Sequence, residues 1–265
     1  MKPNDKAGKK YWDSSWKKVE IPKKFSTLDI SLDNTVNLRL DSLFREIFKK
    51  NSNFRILEIG CANSIWPIYF KEYFDAKADG LDYSPEGCIK TELLFKYYGF
   101  TGSVFCENLF SPAKELLSKY DYVISFGVIE HFDSTEETLI ACSKFLKPGG
   151  KLITVIPNMC GIVGNLQKLV DKKIFKIHKP LSKKILENVH EKIALDLELC
   201  KYFMFLNLSV VNYGDYKLFS LKNFFKRFFA GFTKLIWLFE RILFEFPGLS
   251  SFSPYIVTIS HKPKK

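Results

Sequence analysis

What most constrains this chain is an alternation between residues 54 and 157, in which short apolar runs are each followed by a stretch of helical period. FRILEIG (54–60) reads as a buried strand closing on Gly60. SIWPIYFKEYF (64–74) reads as a helix, with Pro67 in the first turn, where a missing N–H costs nothing. KADGLDYS is a second strand. PEGCIKTELLFKYYG follows as a helix with Pro85 early and Gly99 just past its end. GSVFCENLF is a weaker third strand and YDYVISFGV a fourth. The next helix opens on Ser134 and Glu137, a capping-box spacing, and closes at Pro148-Gly149-Gly150 before KLITVIPN, the fifth strand. Strands joined through helices pair in parallel with right-handed crossovers. Ligands in such open sheets bind beyond the carboxyl ends of the strands.

Those ends carry a distinctive set. The first reads Glu58-Ile59-Gly60-Cys61-Ala62-Asn63-Ser64 and the second Leu81-Asp82-Tyr83-Ser84. Gly60 permits a tight turn and a close backbone approach to a ligand. Asp82 lies 24 positions after Glu58, near the spacing of an acid that grips ribose hydroxyls. The turn is not the phosphate-binding GxGxxG, and Glu58 would repel a pyrophosphate. A cofactor bearing a sulfonium and an ammonium suits that carboxylate, which argues against NAD and for S-adenosylmethionine.

LEIGCANSIWPIYF resembles motif I of class I methyltransferases, GLDYSPEGC the end of their second strand, and CENLF their adenine-binding turn. YDYVISFGVIEHF resembles their fourth strand, and FLKPGGKLITVIPN their passage into the fifth. The five matches stand in order over about 100 residues, and the nearest likeness is to the small-molecule branch that includes quinone-biosynthesis methyltransferases. The resemblance implies a Rossmann-like, doubly wound, seven-stranded mixed α/β sheet with its last strand antiparallel. It implies one methyltransferase domain over 1–265: a helical cap (1–50), a cofactor-binding core (51–160), and substrate-side insertions at 161–205 and 219–249.

Site roles follow from the same resemblance. Glu58 faces the methionine part of the cofactor, and Gly60, Cys61 and Ala62 pass beneath it by their backbone. Asp82 holds the ribose hydroxyls, with Tyr83 beside the adenine. Asn108 contacts the adenine amino group, Leu109 follows it, and Phe126 lies near the reacting methyl. Ala62 and Ser64 stand where motif I usually has glycines. His131 is the expected base or acceptor-orienting group, since a hydroxyl acceptor benefits from a base and imidazole is the usual one; the alternative is that Glu130 and His131 only brace the fold. His178 and His190 lie in the substrate-side insertions.

The expected acceptor is a small molecule, lipid-linked, sugar or quinone-like, methylated at oxygen. The Asn/Asp-Pro-Pro-aromatic stretch of nucleic-acid amino-methyltransferases has no counterpart at Phe126-Gly127-Val128-Ile129, and no cysteine follows the fourth strand as cytosine-C5 chemistry requires. Nucleic acid is therefore not the expected partner. A formal net charge of +11 nonetheless keeps RNA ribose methylation as an alternative. Basic clusters at residues 1–24 and 168–184 read most simply as a solvated tail and a solvated loop. The six cysteines show no metal spacing, so no metal site is expected, and Cys61, Cys88, Cys106 and Cys142 read as reduced thiols of the core.

The sixth strand is expected around Leu206–Val211 and the last at Tyr255–Ser260. Between them, apolar residues recur at helical spacing from Leu221 to Phe246, breaking if anywhere at Gly231. Lys222, Lys226, Arg227, Lys234 and Arg241 occupy the other side. A packed cap is one reading of this helix. A membrane-surface helix within 219–249 is the other, giving a cytoplasmic protein, peripheral at the membrane. The rival to an enzyme is a non-catalytic, membrane-associated binding module that retains the fold.

Overall fold

Seven strands lie in one sheet, in the order β3-β2-β1-β4-β5-β7-β6. They are β1 (Arg55–Ile59), β2 (Lys77–Asp82), β3 (Val104–Cys106), β4 (Tyr120–Phe126), β5 (Leu146–Pro157), β6 (Asp196–Phe203) and β7 (Tyr255–His261). β7 runs antiparallel to both β5 and β6, and the remaining pairs are parallel. This is the expected mixed sheet. The computed structural model describes residues 3–48, 53–214 and 221–264. Strand order reverses between β1 and β4, so their carboxyl ends splay apart and open a crevice.

The helices are α1 (Lys9–Lys17), α2 (Thr35–Ile47), α3 (Trp66–Phe74), α4 (Pro85–Tyr97), α5 (Thr135–Ser143), α6 (Ile162–Val170), α7 (Lys172–Lys176), α8 (Lys183–His190) and α9 (Leu221–Ile242). Local chemistry sets several of their ends. Ser84 Oγ caps α4 by accepting from Gly87 N at 3.1 Å, and Ser134 Oγ caps α5 from Glu137 N at 3.3 Å. Pro67 sits in the first turn of α3. The Lys49–Lys50 end expected for α2 lies outside the described residues.

Each face of the sheet carries its own core. Ile56 packs with Phe44, Phe48, Trp66, Phe70 and Phe74 beneath α2 and α3. Leu57 and Ile59 pack with Leu139, Phe145 and Leu186 beneath α5 and α8. Opposite faces for neighbouring β1 residues follow from the strand's two-residue period.

Several expectations need correction. The described part of the basic N-terminal stretch, residues 3–24, is not a free tail: α1 packs on α4, Asp5 bridges to Phe132, and Lys6 N donates to His131 O at 2.8 Å. The sixth strand is Asp196–Phe203, not Leu206–Val211. Residues 206–211 are apolar because they lie under α9, where Leu206 O accepts from Trp237 Nε1 at 2.8 Å and Leu208 N donates to Thr233 Oγ1 at 3.0 Å. α9 runs unbroken through Gly231 and ends at Ile242 rather than Phe246. Cys106 is exposed, whereas Cys61, Cys88 and Cys142 are buried, and all are free thiols.

Candidate active site

The crevice at the ends of β1, β2 and β4 deepens into a cavity of about 550 Å³. Gly60 turns the chain there at φ 73°, a left-handed value that costs glycine little. Its N–H donates to Leu81 O at 2.8 Å, which pins the turn to the neighbouring strand. A Cβ at Gly60 would lie 2.5 Å from Val128 Cγ2.

Glu58 and Asp82 are both buried and both line the cavity. Ser64 holds Glu58 through a side-chain hydrogen bond, yet Glu58 Oε2 has no partner. The serine that replaces a motif I glycine thus orients the acid. Burial, with the Asp82 charge adding to it, pushes the Glu58 carboxyl up to about 8. Asp82 Oδ1 accepts from Ser84 N at 2.8 Å and Oδ2 from Ala62 N at 3.2 Å. Burial lifts its pKa to about 6 against those main-chain bonds. Each oxygen retains a lone pair for a hydroxyl.

A buried carboxylate oxygen without a partner suits a ligand bearing positive charge, and the Gly60 turn leaves room for one close to the backbone. These residues fit S-adenosylmethionine: Glu58 would face its cationic end and Asp82 its ribose. Bound there, the cofactor supplies an electrophilic methyl on a sulfonium.

Tyr83, Leu109 and Phe126 line the same cavity. Cys61 can contribute only backbone, because its thiol turns away to Thr91 Oγ1 at 3.9 Å. Asn108 is not on the cavity wall. Its Oδ1 accepts from Phe110 N at 2.8 Å and closes its own turn, while its neighbour Glu107 reaches the cavity and accepts from Ala113 N at 2.6 Å. Glu107 is therefore the acid available at this position, within the quoted CENLF stretch but one residue earlier.

The N-terminus, expected as a helical cap, supplies a wall of the cavity. Trp12 and Trp16 stack at 6.4 Å and both face the cavity. Trp12 Nε1 donates to Asp5 Oδ2 at 3.0 Å, the Tyr83 hydroxyl donates to the same carboxylate, and Ser84 Oγ donates to Asp13 Oδ1 at 2.6 Å. The four-residue spacing of Trp12 and Trp16 was the available signal. Val36, Leu40, Phe203 and Tyr255 complete an apolar far wall.

Between the two walls sits His131, its ring edge-on to Trp12 at 4.8 Å and 4.5 Å from that of His178. Burial, then the neighbouring His178, hold its pKa down to about 4. Burial also lowers His178, and raises Glu130 to about 8. His190 is elsewhere, with Nδ1 against Leu186 O at 2.8 Å within α8 and no place on this cavity.

Solved structures with this fold include a putative sarcosine dimethylglycine methyltransferase from Galdieria sulphuraria (14% identity, TM-score 0.59, covering 97% of this chain and 98% of that one). A SAM-dependent methyltransferase from Archaeoglobus fulgidus aligns at 19% identity and TM-score 0.55, covering 88% and 95%. Phosphoethanolamine N-methyltransferase 2 from Haemonchus contortus, in complex with S-adenosyl-L-methionine, aligns at 15% and 0.58, covering 86% and 53%. No curated protein matches the chain by sequence. A family model described as a methyltransferase domain matches residues 32–194, well over half of the chain. The chain belongs to that methyltransferase family, and it is a methyl-transferring enzyme with S-adenosylmethionine as its cofactor.

Proposed function

We propose that this enzyme methylates a hydroxyl of a small, largely apolar molecule held between α1, α2 and the ends of β4 and β5. The observation that carries the reading is His131. Its Nδ1 lies 2.9 Å from Ile177 O, and a carbonyl can only accept, so Nδ1 bears the proton and Nε2 is bare. This nitrogen stands at the cavity wall, where the acceptor's hydroxyl can donate to it. His131 Nε2 would take the hydroxyl proton while the acceptor oxygen takes the methyl that bound S-adenosylmethionine would supply, the bonding pair leaving with sulfur. Alignment of acceptor and methyl supplies much of the acceleration.

The aromatic walls, Trp12, Trp16, Phe126, Phe132 and Phe203, favour a quinone-like or lipid-linked acceptor over a sugar. The test is a methyl-transfer screen with radiolabelled cofactor across cell-extract fractions. Wild-type enzyme labels a small molecule from an apolar fraction, and His131→Ala labels it far more slowly while still binding cofactor. Unchanged turnover in that variant removes His131 from the chemistry.

A second reading concerns where the enzyme works, and α9 supports it. Phe224, Phe228, Phe232, Leu235, Phe239 and Ile242 are exposed, whereas Thr233, Trp237 and Glu240 alone are buried. No helix among the described residues is long and apolar enough to cross a membrane. An apolar helix face edged by Lys222, Arg227 and Lys234 suits adsorption at an anionic lipid surface. That would bring the cavity to an acceptor resident in the membrane.

A further inference from the structure

We propose that Glu130, His131 and His178 form a binding site for one divalent transition-metal cation, with its open coordination positions facing the acceptor side of the cavity. This rests on the reading above for the identity of the acceptor but replaces its base, since an ion on Nε2 leaves His131 no lone pair for the hydroxyl proton; the binding of the ion does not depend on that reading.

Each of the three residues offers one ligand atom, and these atoms lie within 4.8 Å of one another. His131 Nε2 is already 3.8 Å from Glu130 Oε1. Tetrahedral ligands about 2.0–2.1 Å from an ion stand roughly 3.4 Å apart, so the widest separation must contract by up to about 1.4 Å. Small rotations of two imidazoles and one carboxylate can supply that.

Protonation is set for coordination. Nδ1 of His131 meets Ile177 O at 2.9 Å, and Nδ1 of His178 meets Ile174 O at 2.7 Å. Both carbonyls can only accept, so both rings carry their proton on Nδ1 and present a bare Nε2. A main-chain carbonyl holding the remote N–H is how metal-bound histidines are oriented.

The carboxylate makes the independent case. Glu130 is 1% exposed, and neither of its side-chain oxygens has a hydrogen-bond partner. A buried acid with both oxygens idle is costly unless something pairs with it. The fold also holds the cluster together across a long separation in sequence. Lys179 N donates to Glu130 O at 2.6 Å, and Lys179 Nζ to Asp133 O at 2.8 Å, tying the segment after α7 to the turn after β4.

Two neutral nitrogens and one carboxylate oxygen suit Zn²⁺, Fe²⁺ or Co²⁺ better than Mg²⁺, which prefers oxygen alone. Three protein ligands leave at least one position for a water or the acceptor's hydroxyl. With the ion in place His131 is a ligand rather than a base. Such an ion would supply a Lewis acid for the acceptor's hydroxyl, whose proton would leave to solvent.

The test is titration of the chelator-treated full chain with Co²⁺, followed by visible absorption, and with Zn²⁺ by calorimetry. Wild type should bind one ion per chain and give the intense visible bands of four- or five-coordinate Co²⁺. His178→Ala and, separately, Glu130→Gln should weaken binding by at least the ~100-fold that loss of a supporting contact can cost. Both variants should bind S-adenosylmethionine as wild type does, which controls for folding. If wild type takes up no stoichiometric ion, or if neither variant changes the titration, the site is refuted. Wild-type ion binding without methyl transfer to any hydroxyl overturns the acceptor reading and leaves the site standing.

Discussion

Gly60 and Val128 meet across the mouth of the cofactor crevice: a Cβ on Gly60 would lie 2.5 Å from Val128 Cγ2. The turn after β1 and the segment after β4 are thus packed to the limit that a hydrogen at position 60 allows. Gly60→Ala carries two penalties, about 1–2 kcal/mol for a left-handed backbone and about 1–3 kcal/mol for the clash. Chemical denaturation of Gly60→Ala in wild-type and Val128→Ala backgrounds separates them. The clash component disappears in the second background and the backbone component remains. Equal losses in both backgrounds would mean that Val128 does not limit the turn.

Glu58 makes cofactor binding pH-dependent. In the free enzyme its pKa is about 8, so the carboxyl is mostly protonated at pH 7. A cationic ligand favours the ionised form, so binding at pH 7 releases close to one proton, and affinity rises with pH up to about 8. Calorimetry in buffers of different ionisation enthalpy measures the release. Glu58→Gln removes it and costs about 1.5–3 kcal/mol of affinity. A proton count near zero for wild type would place the cationic end elsewhere.

Asp82 is expected to hold the ribose. Asp82→Asn keeps an acceptor for only one of the two main-chain donors, Ser84 N and Ala62 N, and loses the charge, and should cost about 1.5–3 kcal/mol in affinity for S-adenosylmethionine. A cofactor analogue without 2′ and 3′ hydroxyls should bind wild type and variant alike. The same loss with both ligands would assign Asp82 to the turn rather than to the ribose.

On α9, Phe224 and Phe228 stack at 6.4 Å and are 62% and 56% exposed. Phe224→Ser with Phe228→Ser should leave thermal stability unchanged, because neither ring is buried in the fold. If the helix adsorbs to lipid, each ring contributes about 1.5–3 kcal/mol there, and the double variant should no longer co-sediment with anionic vesicles. Undiminished co-sedimentation would rule out this face.

Glu58, Gly60 and Asp82 were legible in the sequence because each sits at the end of a buried strand, where strand period and turn chemistry fix which way a residue points. The loop after β3 has no such frame: there Asn108 closes its own turn and Glu107 reaches the cavity. The spacing of Trp12 and Trp16 marked a shared helical face in the N-terminal cap, while the lysines of α1, which face outward, suggested a solvated tail. β6 was missed because it is an edge strand with a mixed burial pattern, whereas the apolar stretch after it owes its composition to α9. The pairing of His131 with His178 had no sequence signal, since the turn after β4 and the segment after α7 meet only through the tertiary fold.

The central claim is that the cavity lined by Glu58, Gly60 and Asp82 holds S-adenosylmethionine, and calorimetric titration of the full chain with that cofactor tests it most directly. One site per chain is expected, weakened in both Glu58→Gln and Asp82→Asn. Absence of binding, or binding that neither substitution disturbs, would contradict it.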